Sequence, residues 1–176
     1  DTVRHSYAMA MIDAGEFQQA ADVLTALASA KPDDALIQYD LGRALGGLKR
    51  YEEAAEANRR ALSLHPDFVK AMNNLGFMLT LSGQVDEALA TLDQALRLEP
   101  ENLDTLFNIG YACAAAGRTA EAEEKFHAVL EKNPDHARAN LNLGLILEAQ
   151  GNEEDAIRHF RHAIEHEPNL ALAHHN

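Results

Sequence analysis

Small and large apolar residues follow one another along the chain in a pattern that recurs at a constant interval. When each repeat is numbered from 1 to 34, position 8 is small, position 20 is always Ala, and positions 7, 11 and 24 usually carry larger residues. The spacing of these positions places them on one face of each of two α-helices. The pattern predicts helices over about positions 1–14 and 18–31 of every repeat.

The prolines of the sequence fix the register of this repeat. All five stand at position 32 of successive repeats, with no insertion or deletion between them: Pro32, Pro66, Pro100, Pro134 and Pro168. They divide the chain into repeats 1–34, 35–68, 69–102, 103–136 and 137–170, and residues 171–176 match the start of a sixth. We therefore predict one array over residues 1–176, forming a segment of a longer protein or lacking a polar end cap.

The ends of the predicted helices carry their own signals. Position 15 is glycine in four repeats, which suits a left-handed residue just after the first helix: Gly15, Gly83, Gly117 and Gly151. The second repeat has Lys49 there, and we expect Gly46 and Gly47 to relieve the strain. The acidic residue or Asn that follows each proline is expected to open the next helix.

These columns resemble the tetratricopeptide repeat family over residues 1–170. The resemblance rests on the Leu-Gly or Ile-Gly pair at positions 7 and 8, the Ala at position 20 and the Pro at position 32, although the aromatic residue of the family at position 4 is missing. It implies an all-α, right-handed α-solenoid of helix-turn-helix repeats. It also implies that positions 2, 5, 6, 9, 12 and 13 of the first helices line a concave, partner-binding groove.

Asparagine recurs at position 6 of this groove, at Asn74, Asn108 and Asn142. Because an amide both donates and accepts hydrogen bonds, such a ladder can hold an extended peptide backbone. The inner surface of the superhelix of O-linked N-acetylglucosamine transferase is similar. The alternative is that the asparagines brace the groove or hold water.

A second feature of the predicted groove is an apolar, partly aromatic strip with basic and polar neighbours. Aromatic side chains in a groove are good anchors for a partner, but some of these could instead pack against the second helix of an adjacent repeat. The strip comprises Tyr39, Phe77, Phe107, Tyr111, Leu141 and Leu145, and its neighbours are Arg43, Lys70, Asn73 and Arg138. Only Asn108 and Arg138 fit the carboxylate clamp of chaperone-binding relatives, which argues against a chaperone-tail binder.

Charge and candidate chemistry narrow the function further. The net charge of −13 argues against nucleic acid as a partner, and no apolar run is long enough for membrane insertion. His159, His162 and His166 lie on one predicted helix, where we expect a solvated face and no metal site. Cys113 is expected in the core. No catalytic constellation or cofactor motif is recognisable, so the pattern favours a scaffold and not an enzyme.

Three functions remain open from the sequence. The first is a protein-protein interaction scaffold that binds a peptide or helix of a partner in the groove. The second is homo-oligomeric assembly through an open end of the array. The third is a substrate-docking or regulatory arm of a larger enzyme, such as a glycosyltransferase. The sequence indicates neither the partner nor the compartment.

Overall fold

A computed structural model describes residues 2–167 of the chain, which form ten α-helices and no strand. The predicted all-α helical-repeat fold is confirmed. In chain order the helices are α1 (Thr2–Asp13), α2 (Phe17–Ala30), α3 (Ala35–Gly47), α4 (Tyr51–Leu64), α5 (Val69–Leu81), α6 (Val85–Leu98), α7 (Leu103–Ala115), α8 (Thr119–Lys132), α9 (Ala137–Ala149) and α10 (Glu153–His166). Pro168 and the start of a sixth repeat lie outside the described residues.

Odd-numbered helices occupy the first half of each repeat and even-numbered helices the second, within one residue of the predicted bounds. In the second to fifth repeats the pair packs closely because the glycine at position 8 faces the side chain at position 24, and the first repeat has the small residue Ala8 there. A Cβ atom on Gly76 would lie 2.5 Å from Leu92 Cγ, and one on Gly144 would lie 2.5 Å from Phe160 Cε1. The small residue is therefore required by the approach of the two helices.

The helices form two compact units, residues 1–100 and 101–176, of which 2–100 and 101–167 are described. In the first unit, α1 to α6 enclose a core that includes Leu24, Ile37 and Leu79. In the second unit, α7 to α10 bury Phe126, Val129 and the predicted core residue Cys113. The prediction of one continuous array stays a prediction. Among the described helices, none has the length and apolar content that a membrane crossing needs.

Among the turns that follow the first helices, the one in the second repeat differs from the prediction. Gly15, Gly83, Gly117 and Gly151 have φ between 72° and 81°, as predicted for a left-handed residue. In the second repeat Lys49 itself adopts φ 60°. Gly46 and Gly47 do not take over this role, because α3 continues to Gly47 and the reversal falls at the same repeat position as in the other repeats.

The residue that caps the next helix lies one position later than predicted. Three first helices are capped by the side chain at position 34, not by the residue that directly follows proline. Asp34 accepts hydrogen bonds from Leu36 N and Ile37 N, Asn102 accepts from Thr105 N, and His136 Nδ1 accepts from Ala139 N. Phe68 occupies this position before α5 and offers no acceptor.

Candidate functional site

In the first unit, contacts between ionisable side chains link the predicted groove faces of α1 and α3. His5 Nε2 lies 2.7 Å from Asp40 Oδ2, and Arg43 Nη1 lies 3.4 Å from Asp40 Oδ1. Arg43 Nη2 also lies 3.7 Å from the exposed Asp13 carboxylate. Asp40 is only 2% exposed, so its charge is balanced within the fold. Arg43 is therefore engaged by carboxylates of its own chain.

The remaining predicted residues of the first unit differ in their exposure. Lys70 is exposed, whereas Asn73 is buried. Tyr39 is half-buried, with its ring centroid 5.0 Å from that of Phe68. Phe77 packs against the core. Their roles in partner binding stay predictions.

The ladder residue Asn74 faces the interior of the first unit. Its Nδ2 donates a 3.2 Å hydrogen bond to Oδ1 of Asn58, which is fully buried at position 24 of the second repeat. Asn58 in turn donates to the backbone oxygen of Ala54 at 2.7 Å. Asn74 thus links two neighbouring repeats, and its role in peptide binding stays a prediction.

In the second unit, an aromatic and cationic cluster joins α7 to α9. The guanidinium carbon of Arg138 lies 4.5 Å from the centroid of the Phe107 ring, a cation–π geometry. The His136 ring stacks on Phe107 at 5.3 Å, and Tyr111 stacks at 6.2 Å. Phe107 is only 3% exposed. It therefore acts as the buried base of the cluster, while the half-buried Arg138 and Tyr111 form its surface.

Three side chains of α9 continue this surface along one face of the helix. Arg138, Asn142 and Leu145 are spaced by four and three residues, so they lie above one another on the helix. Asn142 Nδ2 donates to the backbone oxygen of Arg138 at 2.8 Å, and Leu145 is 40% exposed. The other two predicted residues, Asn108 and Leu141, are buried.

The electrostatics of the cluster follow from its partial burial. Desolvation lowers the pKa of Arg138, opposed by Tyr111, Glu167 and Asp104. Desolvation also lowers the pKa of His136, and the charge of Arg138 acts in the same direction. A half-buried guanidinium gains more from a carboxylate ligand than a fully hydrated one does, because less water is displaced.

Sequence reasoning missed two members of these arrangements. His136 was not recognised as part of the aromatic cluster, and Asp40 was not recognised as a buried acceptor for His5. The position-34 column, which reads Asp34, Phe68, Asn102, His136 and Leu170, held a usable signal for helix capping, because Asp and Asn are favoured N-cap residues.

Paired helices that recur once in every repeat, with a side-chain cluster joining consecutive first helices, define a helical-repeat protein of the interaction-scaffold class. The chain belongs to the tetratricopeptide repeat family, whose model matches residues 8–76, 82–128 and 115–171. The family resemblance drawn from the sequence is thus confirmed. A comparison with curated proteins found no match.

Solved structures with a similar fold include several tetratricopeptide repeat proteins. YrrB, described as a TPR protein with an unusual peptide-binding site, is 26% identical, with a TM-score of 0.66 over 98% of this chain and 89% of its own. MamA of AMB-1 is 25% identical, with a TM-score of 0.72 over 94% and 98%. MamA from Desulfovibrio magneticus RS-1 is 20% identical, with a TM-score of 0.75 over 96% and 95%, and this last likeness concerns the fold alone.

Proposed function

We propose that the chain is a non-catalytic scaffold whose second unit binds an extended peptide on the surface formed by Arg138, Asn142 and Leu145. The observation that carries this proposal is the position of the Arg138 guanidinium over the Phe107 ring, 4.5 Å from its centroid. The stacking holds a long, flexible side chain in one place, which lowers the entropy lost when a ligand binds it.

The chemistry of this surface defines the peptide. Arg138 recognises a carboxylate, which it can hold through two parallel N–H donors. Asn142 donates one N–H to its own helix, and its amide oxygen makes no hydrogen bond within the described residues. That oxygen is available to a backbone N–H of the peptide. Leu145 offers an exposed apolar contact at the far end.

The distance between Arg138 and Leu145 predicts a sequence motif in the bound peptide. Arg138 and Leu145 are seven residues apart on α9, which corresponds to roughly 10 Å along the helix axis. An extended peptide covers about 3.3 Å per residue. The ligand should therefore carry an acidic residue and an apolar residue about three positions apart.

Selection from a random peptide-display library on the full chain tests this proposal. We expect enriched peptides to carry an acidic and an apolar residue at that spacing. Arg138→Gln or Leu145→Ala should weaken their binding by about tenfold, the loss typical of an interface residue that matters. Isothermal titration calorimetry with synthetic copies of the peptides measures the loss.

Two exposed residues serve as matched controls. Arg158→Gln and Leu64→Ala make the same chemical changes on α10 and α4 and should leave binding unchanged. Peptides that bind Arg138→Gln and Leu145→Ala as tightly as the parent would overturn the proposal. Failure of the selection to enrich any peptide would overturn it as well.

The start of the first unit favours a second candidate function, self-association. Val3 is 82% exposed and Tyr7 is 59% exposed, and Tyr7 lines an apolar cavity of about 350 Å³ with Val23, Ala26 and Leu27. Clustered exposed apolar side chains mark contact surfaces. Light scattering should show a mass that rises with concentration and a constant monomer mass for Tyr7→Asp. A parent mass that never rises would exclude this candidate.

The docking-arm alternative has no support from a particular residue of the described structure and stays a prediction. The exclusion of nucleic acid as a partner also stays a prediction.

A further inference from the structure

The end of α10 meets the turn before α9 at a group of metal-ligating side chains. His162 and His166 are one helical turn apart on α10, with nearly parallel rings whose centroids are 6.3 Å apart. Asp135 approaches them from the turn, and its Oδ1 lies 3.2 Å from His166 Nε2. One ligand atom from each of the three residues lies within 4.8 Å of the other two. All three residues are exposed, so an ion can reach them from solvent.

The backbone positions of the three residues are fixed by the fold. Asn133 Oδ1 accepts a 3.2 Å hydrogen bond from Asp135 N, and His136 N donates to Asn133 O at 3.1 Å. This turn leads directly into α9, which packs against α10 within the fifth repeat. The carboxylate and the two imidazoles are therefore presented by elements that are already held together.

The preceding repeat offers an internal comparison at the same positions. There, Lys132 Nζ at position 30 lies 2.9 Å from Glu101 Oε1 at position 33 of the repeat before. His166 and Asp135 occupy these same two positions one repeat later, so a contact between a basic and an acidic side chain recurs here in the second unit. What is new in the fifth repeat is His162 at position 26, where the fourth repeat has Ala128. With His162, the two contacting side chains become a set of three possible metal ligands.

We propose that Asp135, His162 and His166 bind a divalent transition-metal ion of the Zn²⁺ class. Two imidazoles and one carboxylate suit this ion, which binds such ligands at about 2.0–2.2 Å and leaves a fourth position to water. Ligand atoms of a tetrahedral ion are about 3.4 Å apart at that bond length, which small rotations of the exposed side chains can reach. Mg²⁺ and Ca²⁺ prefer oxygen ligands and are not expected here.

The bound ion would join the turn before α9 to the last turn of α10. It would therefore link these two elements, whose equivalents the Lys132–Glu101 pair bridges in the preceding repeat. This site is separate from the proposed peptide surface, and each can fail without the other.

Isothermal titration calorimetry of tag-free full chain with ZnCl₂ tests the proposal, with MgCl₂ as the comparison ion. We expect about one Zn²⁺ per chain and no binding of Mg²⁺. Asp135→Asn, His162→Gln and His166→Gln should each weaken Zn²⁺ binding by at least about tenfold, since even the loss of an outer partner of a metal ligand costs about 10–100-fold. Far-UV circular dichroism checks that the variants fold.

Two control variants separate this site from other histidines. His159→Gln changes a histidine of the same helix that instead contacts Asn140, and it should bind Zn²⁺ like the parent. The double change His174→Gln and His175→Gln should also bind like the parent. Unchanged affinity in the three ligand variants, or a loss confined to the double variant, would overturn the proposal.

Cobalt provides a readout of the ligand set itself. Co²⁺ absorbs strongly in the visible when its site is tetrahedral and weakly as the hydrated ion. We expect the strong bands with the parent chain and their loss in His162→Gln. A spectrum identical to that of hydrated Co²⁺ would contradict a three-ligand protein site.

Discussion

The amide nitrogen of Asn74 donates to the amide oxygen of Asn58 across 3.2 Å, from the first helix of one repeat to the second helix of the repeat before it. Asn58 stands where the other repeats have Leu or Phe, and it is fully buried. The pair shows how a buried polar residue at position 24, which is normally apolar, can find a hydrogen-bond partner at position 6 of the next repeat.

Replacing Asn74 alone should therefore lower the free energy of unfolding more than replacing both Asn74 and Asn58. Asn74→Ala leaves the Asn58 oxygen buried without its donor, and we expect a loss of about 1–3 kcal/mol in the free energy of unfolding. Adding Asn58→Leu to that variant should recover most of the loss, because an apolar residue then fills an apolar column. Urea unfolding of the three proteins measures this, and additive losses would contradict it.

The buried carboxylate of Asp40 should contribute more to stability than the exposed carboxylate of Asp13, although both contact Arg43. Asp40→Ala leaves His5 and Arg43 without their buried acceptor, and we expect a loss of about 1–3 kcal/mol. Asp13→Ala should cost less than about 1 kcal/mol, as is typical of exposed ion pairs. Equal losses in thermal or urea unfolding would show that the buried pair has no special role.

Replacing Lys49 should increase the stability of the protein. It adopts φ 60°, which glycine reaches without the steric cost that a Cβ atom imposes. Lys49→Gly should raise the free energy of unfolding by about 0.5–1 kcal/mol. The reverse change at the equivalent position, Gly83→Lys, should lower it. A destabilised Lys49→Gly protein would mean that the lysine side chain makes a contribution larger than the backbone strain.

The stability of the protein should depend on pH through His159. Its burial, with the charges of Arg158, His127 and His162, lowers its pKa in the folded state, and its Nδ1 lies 2.8 Å from Asn140 Oδ1. The unfolded chain, with an ordinary pKa of about 6.5, takes up this proton first as the pH falls. The contribution of His159 is thus complete above about pH 6.5 and is lost as the pH falls towards the folded-state pKa.

Urea unfolding of the parent and of His159→Gln at about pH 7.5 and pH 5.5 measures this contribution. The variant should lose less stability than the parent between the two values. An NMR titration of the imidazole signals in the presence of EDTA observes the pKa directly. A His159 that titrates at or above the ordinary value would contradict the expectation.

The predictable features of this chain are those set within one repeat. The helix pairs and the left-handed turns follow from columns of small, large and glycine residues, and the structure reproduces them to within a residue. The burial of Phe107 could not be predicted in this way. It lies on the predicted groove face of α7, but Arg138 and His136 of the following chain segment cover it. The periodicity of a single helix contains no information about such a neighbour.

The same reason explains why Asp135 was not expected beside His162 and His166. His162 and His166 were recognised as neighbours on one helix, but Asp135 is far away in sequence and reaches them only through the packing of α10 beside α9. Likewise, the ladder asparagines share one repeat position while Asn74 and Asn142 donate to different partners. Residues at the same repeat position occupy the same place on the helix, but they need not make the same contacts.

In the second to fifth repeats, the contact between position 8 and position 24 is made inside one repeat, as Gly76 with Leu92 and Gly144 with Phe160 illustrate. Both partners of this close contact therefore belong to a single repeat. Duplication, deletion or exchange of whole repeats preserves every such contact, whereas an insertion or deletion within a helix between positions 8 and 24 shifts one partner away from the other. The chain is built so that genetic rearrangement in steps of one repeat can alter what it binds without disturbing how its helices pair.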